Sequence, residues 1–165
     1  MKIDIINGFT EEEARDAFLK CCGSESWAGS MTEARPFAND DDLLKQVDRS
    51  FMHLSKEDWL EAFAAHPKIG DIESLKKKFG NTKDWAEGEQ SGVNGTAEAV
   101  LEKLALGNKT YEDRFGYIFI VCATGKSAEE MLTILEGRID NQPEKEFAIA
   151  AEEQKKITQI RLAKL

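Results

Sequence analysis

A histidine at the end of a predicted helix is the first residue of this chain whose type and setting could do chemistry. It lies in the segment 59–70, Trp-Leu-Glu-Ala-Phe-Ala-Ala-His-Pro-Lys-Ile-Gly. Four side chains of the segment share one helical face, at i, i+3, i+4 and i+7: Trp59, Ala62, Phe63 and His66. Pro67 disfavours helical geometry at the residue before it, so the helix is predicted to end about His66.

The charge state of His66 depends on two opposing effects. A helix C-terminus favours the charged imidazolium, whereas burial against apolar side chains favours the neutral form. An imidazole held between these effects can move a proton near neutral pH. The alternative is a core histidine bonded to a carbonyl, and the spacing alone fits that alternative slightly better.

Arg161 is the second unusual position, because it lies on a largely apolar stripe of the last predicted helix. The stripe runs at i, i+3, i+7, i+10 and i+14: Phe147, Ala150, Gln154, Ile157 and Arg161. An arginine on such a stripe is costly unless an anion meets it. Its partner could be a protein carboxylate, or a substrate carboxylate or carbonyl bound by the planar guanidinium, and the sequence does not choose between them.

Glu89 and Gln90 lie in a glycine-rich stretch, residues 80–96, which is predicted to be mostly loop with one helical turn around Trp85. Glycines let the backbone approach a ligand, and Glu with Gln offers acceptors and donors for a polar heterocycle. A solvated loop explains the same residues and is the more common case.

The sequence offers no pattern for a metal site or a nucleophilic thiol. His53 and His66 are thirteen residues apart, and neither has a carboxylate at ligand spacing. Cys122 lies in an apolar run, where a small hydrophobe is the simpler interpretation. No phosphate-binding loop or dinucleotide fingerprint occurs. We therefore predict that no metal is bound.

Length and composition indicate one soluble globular domain. The chain has 165 residues, of which 41% are apolar and 32% charged. A net charge of −9, from 22 basic and 31 acidic residues, opposes nucleic-acid binding. No stretch reaches the ~18 apolar residues of a membrane span, and we expect no secretory signal. Cysteines stand at 21, 22 and 122, and their odd number fits reduced thiols in a cytosol-like compartment.

Helix start and stop signals recur along the whole chain. They predict helices over 10–22, 27–35 (a short helix or turn), 39–51, 55–66, 71–79, 96–106, 109–123, 127–139 and from 143 onward. The run 115–122 is apolar on all sides and could be a buried strand, but the helical register before it favours a helix. No hairpin pattern occurs. The predicted fold is therefore a single all-α domain, residues 1–165, with eight or nine helices.

Four segments resemble, in order, the signature motifs of one enzyme family: His-Pro-Lys-Ile-Gly at 66–70, Ala-Glu-Gly-Glu-Gln at 86–90, Arg-Phe-Gly-Tyr-Ile-Phe-Ile-Val-Cys-Ala at 114–123 and Ile-Thr-Gln-Ile-Arg-Leu at 157–162. The family is 2-oxo-4-hydroxy-4-carboxy-5-ureidoimidazoline (OHCU) decarboxylase, of the uric acid pathway. The resemblance covers nearly the whole chain. In one departure, Ala86 stands where the family pattern has Ser, so one hydroxyl contact to the substrate is missing.

The resemblance implies an all-helical enzyme without a cofactor, usually a homodimer, that converts OHCU to (S)-allantoin and carbon dioxide. It places His66 and Glu89 at the catalytic positions. It places the other motif residues in contact with the substrate: Pro67, Ala86, Gln90, Phe119, Ile120, Val121, Cys122, Ala123 and Arg161. The implied partner is the small molecule OHCU, with neither nucleic acid nor a membrane.

A helical binding or regulatory domain without turnover is the alternative, and Ala86 favours it. The presence of four polar residues together favours the enzyme: His66, Glu89, Gln90 and Arg161. The C-terminal Ala163-Lys164-Leu165 is similar to the peroxisomal Ser-Lys-Leu address, although a helix end rich in Lys and Leu produces it by chance. We expect a cytoplasmic protein, with the peroxisome as the alternative.

Overall fold

The fold is all-α in the part of the chain that the structure describes. The computed structural model describes the backbone of residues 2–67, 72–79 and 91–165, and their side chains except those of 72, 78 and 91–96. Nine helices lie in these ranges: α1 (Ile3–Gly8), α2 (Glu11–Cys21), α3 (Glu25–Glu33), α4 (Asp40–Met52), α5 (Lys56–Ala64), α6 (Ile72–Phe79), α7 (Ser91–Phe115), α8 (Ala128–Arg138) and α9 (Pro143–Leu162). The predicted fold class is confirmed.

Polar side chains begin several helices where the sequence predicts. The Thr10 hydroxyl accepts a bond from the Glu13 N–H at 3.1 Å, and the Glu13 carboxylate accepts one from the Thr10 N–H at 2.9 Å. Ser55 and Asp58 cap α5 in the same reciprocal way. These caps satisfy N–H groups that have no partner inside the helix. The sequence signals do not predict α1, which has no capping side chain.

The chain divides into two compact units. Unit 1 comprises the residues up to His66 together with Ala151–Leu165, and unit 2 comprises Pro67–Ala150. The boundary at 150 falls inside α9, so this helix belongs to both units. That residues 1–165 form one domain stays a prediction, since two compact units can belong to one domain.

A chain of four aromatic contacts fills the core of unit 1 and anchors α5. Phe18 meets Trp27 edge-on at 5.9 Å between ring centroids, and Trp27 stacks on Phe51 at 5.4 Å. Phe51 stacks on Trp59 at 5.2 Å, and Trp59 meets Phe63 at 6.2 Å. Trp59 and Phe63 are buried on one face of α5, as their spacing predicts. This packing fixes the helix end that leads to His66.

Unit 2 has a separate core in which α6, α7 and α8 meet. Its buried members are Leu75, Phe79, Leu101, Leu104, Tyr111, Ala128, Met131 and Leu135. They lie at helical spacing, so each helix buries one face.

Helix α7 corrects the predicted boundaries. It runs unbroken from Ser91 to Phe115, where the sequence predicts loop up to residue 96 and separate helices over 96–106 and 109–123. Gly107 does not end a helix here. A Cβ added to Gly107 would overlap the Leu135 side chain, so this glycine lets α8 pack closely against α7.

Residues 116–123 are a second correction, because they are not helical: 116 and 117 form a bend, and 118–123 have no regular secondary structure. Gly116 adopts a φ of +83°, which glycine reaches without the strain of a Cβ, and its N–H donates to the Glu112 carbonyl at 2.8 Å. The helix therefore ends at Phe115, and the apolar run continues outside it.

Candidate active site

His66 follows α5 in a short turn. The helix ends at Ala64, two residues earlier than predicted, and the His66 N–H donates to the Phe63 carbonyl at 3.2 Å. The His66 side chain is half-buried, and Pro67 after it is exposed. Gly23 packs against this turn at Ala65. A Cβ at position 23 would overlap the Ala65 Cβ, so the close approach requires glycine.

The environment of His66 favours the neutral imidazole. His66 Nε2 lies 2.6 Å from Gln154 Oε1. Burial lowers the pKa of His66 below its ordinary value and outweighs the opposing effect of the Gln154 bond, and the nearby Arg161 guanidinium lowers the pKa further. Burial, one of the two effects that the sequence suggests, is thus the largest cause of the lowered pKa.

Gln154 lies fully buried behind the imidazole. Its Nε2 donates to Thr158 Oγ1 at 3.1 Å, and the Thr158 hydroxyl donates to the Gln154 backbone carbonyl at 2.8 Å. Thr158 is also fully buried and contacts the Cys22 thiol. Burial raises the pKa of Cys22 to about 11, so the thiol stays protonated near neutral pH.

Arg161 lies near His66 and has two backbone carbonyls as hydrogen-bond acceptors. Its Nη1 donates to Lys20 O at 3.3 Å and to Cys21 O at 3.4 Å, at the C-terminal end of α2. The partial negative charge at that helix end suits a cation. Among the described residues no carboxylate forms an ion pair with Arg161, so the protein carboxylate, one of the two partners that the sequence leaves open, is not found there. A guanidinium carries five N–H groups, so donors remain for another acceptor.

The segment 119–123 belongs to unit 2 and alternates between buried and accessible side chains. Ile120 and Cys122 are buried, whereas Phe119, Val121 and Ala123 are only partly buried. This period of two is the pattern of extended backbone with one face on a core. The accessible face of the segment is therefore apolar.

Three cationic contacts hold that segment in place. Arg138 Nη1 donates to Ile120 O at 2.8 Å, and the Arg138 guanidinium lies over the Phe119 ring, 4.7 Å from its centroid. Lys126 Nζ donates to Cys122 O at 2.7 Å.

Arg138 is itself paired with Glu146. Both side chains are buried, Arg138 Nη2 lies 2.5 Å from Glu146 Oε2, and the Tyr111 hydroxyl donates to the same oxygen. Burial and the neighbouring carboxylate hold the pKa of Tyr111 well above its ordinary value, so the tyrosine remains a donor.

The predicted site residues fall into three groups. His66 and Arg161 are brought together in unit 1, whereas Pro67 and residues 119–123 lie in unit 2. Ala86, Glu89 and Gln90 lie outside the described residues, and their roles stay predictions. Sequence reasoning assigned no role to Gln154, Thr158, Arg138 or Glu146. The signal for Gln154 was present, because an amide on an apolar stripe must find partners.

The described part of the chain has neither a metal-binding cluster nor a membrane-spanning helix. The described side chains contain no group of three or more His, Cys, Asp or Glu that could hold a metal ion. None of the helices, over the residues described, combines the length and apolarity that crossing a bilayer requires.

Similarity to known proteins extends along nearly the whole chain. The family model for OHCU decarboxylase matches residues 7–163. The uric acid degradation bifunctional protein TTL of Arabidopsis thaliana is 37% identical over 154 residues, which are 93% of this chain and 48% of that protein. This chain thus spans about half the length of that relative. The OHCU decarboxylase of Haloferax volcanii is 26% identical over 161 residues, covering 96% of this chain and 92% of the relative.

A solved structure shares both the fold and the sequence. The crystal structure of an OHCU decarboxylase in the presence of (S)-allantoin matches with a TM-score of 0.71 and 37% identity, over 90% of this chain and 96% of that one. Together with the match of the family model over residues 7–163, this shows that the chain belongs to the OHCU decarboxylase family.

Proposed function

We propose that this chain decarboxylates OHCU to (S)-allantoin and carbon dioxide, in the degradation of uric acid and without a cofactor. The observation that carries the proposal is the neutral, anchored His66 beside Arg161, in a chain that matches the family over residues 7–163. Relatives with the OHCU decarboxylase name and a structure obtained with (S)-allantoin support the substrate.

The reaction needs no external electron sink. Cleavage of the bond to the carboxylate leaves an electron pair on the ring carbon, and the adjacent C=N group delocalises it. The nitrogen of that C=N group takes up a proton as it receives the pair. The hydroxyl on the carbon that lost the carboxylate then releases its proton as the product carbonyl forms, and a proton is added to one face of the neighbouring carbon. Overall one proton is taken up from solvent. The protein must therefore hold the carboxylate out of the ring plane, accept the hydroxyl proton and control the face of protonation.

His66 is suited to accept the proton of the substrate hydroxyl. A neutral imidazole has one free nitrogen that can accept a proton, and the lowered pKa keeps that nitrogen free near neutral pH. In our proposal His66 bonds the substrate hydroxyl and takes its proton as the carbonyl forms.

Arg161 and the segment 119–123 have different proposed roles at the substrate. We propose that Arg161 binds the carbonyl or ureido end of the substrate, because gripping the carboxylate would stabilise the ground state and oppose its loss. On the basis of the family motif we propose that residues 119–123 contact the substrate, where their apolar side chains disfavour a localised carboxylate relative to the delocalised charge that follows cleavage. In this proposal the apolar contact lowers the barrier to carbon dioxide release, and Arg161, bound at the other end of the substrate, does not raise it.

Glu89, Gln90 and Ala86 complete the proposal on the basis of the motif alone. Glu89 is proposed to accept bonds from ureido or ring N–H groups, and Gln90 to contact the substrate. Ala86 removes the family hydroxyl and is the one feature that favours a binding domain without turnover. We also propose a homodimer, which light scattering would test.

The test is the decay of OHCU generated freshly from urate, followed with and without protein and with and without EDTA. We expect the protein to accelerate OHCU loss and carbon dioxide release in both buffers. Decay at the spontaneous rate, by folded protein that still binds allantoin, would favour the binding domain. Activity lost in EDTA and restored by a divalent ion would contradict the cofactor-free proposal.

A further inference from the structure

The side chains behind His66 decide which imidazole nitrogen is free to react. His66 Nε2 meets Gln154 Oε1 at 2.6 Å, and Gln154 Nε2 meets Thr158 Oγ1 at 3.1 Å. Gln154 and Thr158 lie one turn apart on α9 and are both fully buried. A buried glutamine is tolerated when its polar atoms are paired, and here both ends of the amide have a partner.

The proton positions in this group follow from the single hydrogen of the Thr158 hydroxyl. That hydrogen is donated to the Gln154 backbone carbonyl at 2.8 Å, so Thr158 Oγ1 faces the amide only as an acceptor. The amide must then present its NH₂ group to Thr158 and its oxygen to His66. The Cys22 contact does not alter this assignment, because a buried, protonated thiol can donate to the same hydroxyl oxygen.

We infer that Gln154 and Thr158 are positioning residues that hold His66 in the Nε2–H tautomer, which leaves Nδ1 as the nitrogen that accepts the substrate proton. An amide oxygen can only accept, so His66 Nε2 must carry the hydrogen. A neutral imidazole has one N–H, so Nδ1 keeps its lone pair. The inference rests on the proposed function for what Nδ1 does, but the tautomer itself is a property of the protein alone.

The reversed amide would place its NH₂ group against the imidazole. His66 Nε2 would then be the acceptor and Nδ1 would carry the hydrogen, so the free nitrogen would be lost. The Thr158 hydroxyl prevents this reversal, because its own hydrogen is already donated to the α9 backbone. Thr158 thus acts on the imidazole through Gln154, without touching the substrate.

The direct test is the tautomer of His66 in the intact protein, read from long-range ¹H–¹⁵N spectra of histidine-labelled protein at neutral pH. The chain has two histidines, His53 and His66, so a His53→Gln variant assigns the signals. We expect His66 to show a protonated Nε2 and an unprotonated Nδ1. A protonated Nδ1 in the wild-type protein would overturn the inference.

Two substitutions separate the positioning role of the Thr158 hydroxyl from the packing role of the side chain: Thr158→Val and Thr158→Ser. Valine keeps the shape and removes the hydroxyl, so the amide can reverse, and we expect mixed His66 tautomers and a kcat about 10-fold lower. Serine keeps the hydroxyl, so we expect one tautomer and nearly wild-type kcat. A Thr158→Val protein with the wild-type tautomer and kcat would contradict the role of Thr158.

Gln154 variants give a readout in the pH profile. Four charged groups and thiols face this site from the packed elements among the described residues: Arg161 of α9, Glu61 of α5, and Cys21 and Cys22 at the end of α2. Gln154→Glu keeps an acceptor and adds a negative charge, so the acid limb of kcat/KM should move up by about one pH unit. Gln154→Leu removes the bond that raises the pKa, so the limb should move down. An unchanged limb in both variants would contradict the inference.

These outcomes separate the inference from the proposed function. If wild-type protein fails to decarboxylate OHCU, the proposed function fails, while the tautomer measurement still decides the inference. If OHCU is consumed but Nδ1 carries the hydrogen, the function stands and the positioning role is wrong.

Discussion

At the scale of single residues, the proposed chemistry depends on keeping His66 uncharged near a permanent cation. Burial and Arg161 both lower its pKa, and the Gln154 bond opposes them only in part. Arg161 is held by two neutral carbonyls, so its charge is not cancelled by a described carboxylate. A neutral base next to a cation can accept a proton while the guanidinium binds a polar end of the ligand.

The pH dependence of activity follows from the direction of that pKa shift. With the pKa below its ordinary value of 6.5, His66 is neutral at pH 7.5, and kcat/KM should be flat there. It should fall only as the pH drops below the ordinary value, through the lowered pKa of the folded protein. An activity that rises on acidification would show that the imidazolium is the active form.

Folding stability should show the same sign. Below pH 6.5 the unfolded chain binds a proton at His66 before the folded protein does, so wild-type stability falls relative to His66→Gln. Urea unfolding of both proteins at pH 7.5 and 5.0 measures this difference. A wild-type advantage that grows at pH 5.0 would contradict the lowered pKa.

Ala86→Ser tests the one residue at which this chain departs from the family motif. A regained neutral hydrogen bond is worth ~0.5–1.5 kcal/mol, so allantoin or substrate should bind about two- to tenfold more tightly. The gain should appear in KM, because a contact made in ground and transition states alike leaves kcat unchanged. Weaker or unchanged binding would mean that residue 86 does not face the ligand or that another group already fills the role.

At the scale of elements, α5 and the turn after it position His66, and Gly23 packs against Ala65 in that turn. In Gly23→Ala the new Cβ would overlap the Ala65 Cβ, which cannot rotate away. We expect a loss of about 1–3 kcal/mol in the free energy of unfolding. A displaced His66 should also lower kcat by ~10-fold or more.

Gly29→Ala is the matched control in the same unit. Its new Cβ would have Arg15 Nη1 as its nearest neighbour at 3.7 Å, an ordinary contact. Because alanine favours the helix, we expect α3 to gain up to ~1 kcal/mol. Equal stability and activity of the two variants would mean that the approach of Gly23 to Ala65 does not hold the turn.

The start of α9 and the end of α8 fix the segment 119–123 through Arg138 and Glu146. Glu146→Gln leaves the buried Arg138 charge without its carboxylate, and removing one partner of a buried pair costs about 3–5 kcal/mol. Asp113→Asn, in the exposed Lys109–Asp113 pair, should change stability by less than about 0.5 kcal/mol. Chemical denaturation measures both, and a Glu146→Gln cost as small as the control would show that the buried pair does not hold this segment.

Local signals predicted the helix starts better than the helix interiors. Thr10, Asn39 and Ser55 each bond a backbone N–H in their own first turn, so a few neighbouring residues determine the start. The segment 116–123 was wrongly predicted as a helix, because an apolar run fits a helix and an extended strand equally well. Arg138, eighteen positions beyond Ile120, donates a hydrogen bond to the Ile120 carbonyl, and no local pattern shows that.

At the scale of the whole molecule, the motifs identified the family, but the contacts behind them required the structure. His66 and Arg161 are 95 positions apart in the sequence, and each was singled out by its own neighbours. The sequence places Gln154 on the largely apolar stripe of the last helix but assigns it no role. Its role depends on its contact with His66 Nε2, which the local sequence does not show. Such partnerships between distant segments are set by tertiary packing.

Net charge is a further property of the whole chain that bears on function. A charge of −9 opposes the approach of the carboxylate substrate of the proposed reaction. In our proposal Arg161 supplies a local positive charge against this repulsion while it binds the carbonyl or ureido end of the substrate.

The most direct measurement of the central claim is the circular dichroism of allantoin formed from fresh OHCU by wild-type protein and by His66→Gln. Spontaneous decay gives both enantiomers, whereas controlled protonation gives one. We predict a growing (S)-allantoin signal with the wild-type protein, and a kcat at least 100-fold lower with His66→Gln at unchanged far-ultraviolet helicity. Racemic product from the wild-type protein, or more than a tenth of wild-type kcat in folded His66→Gln, would contradict the account.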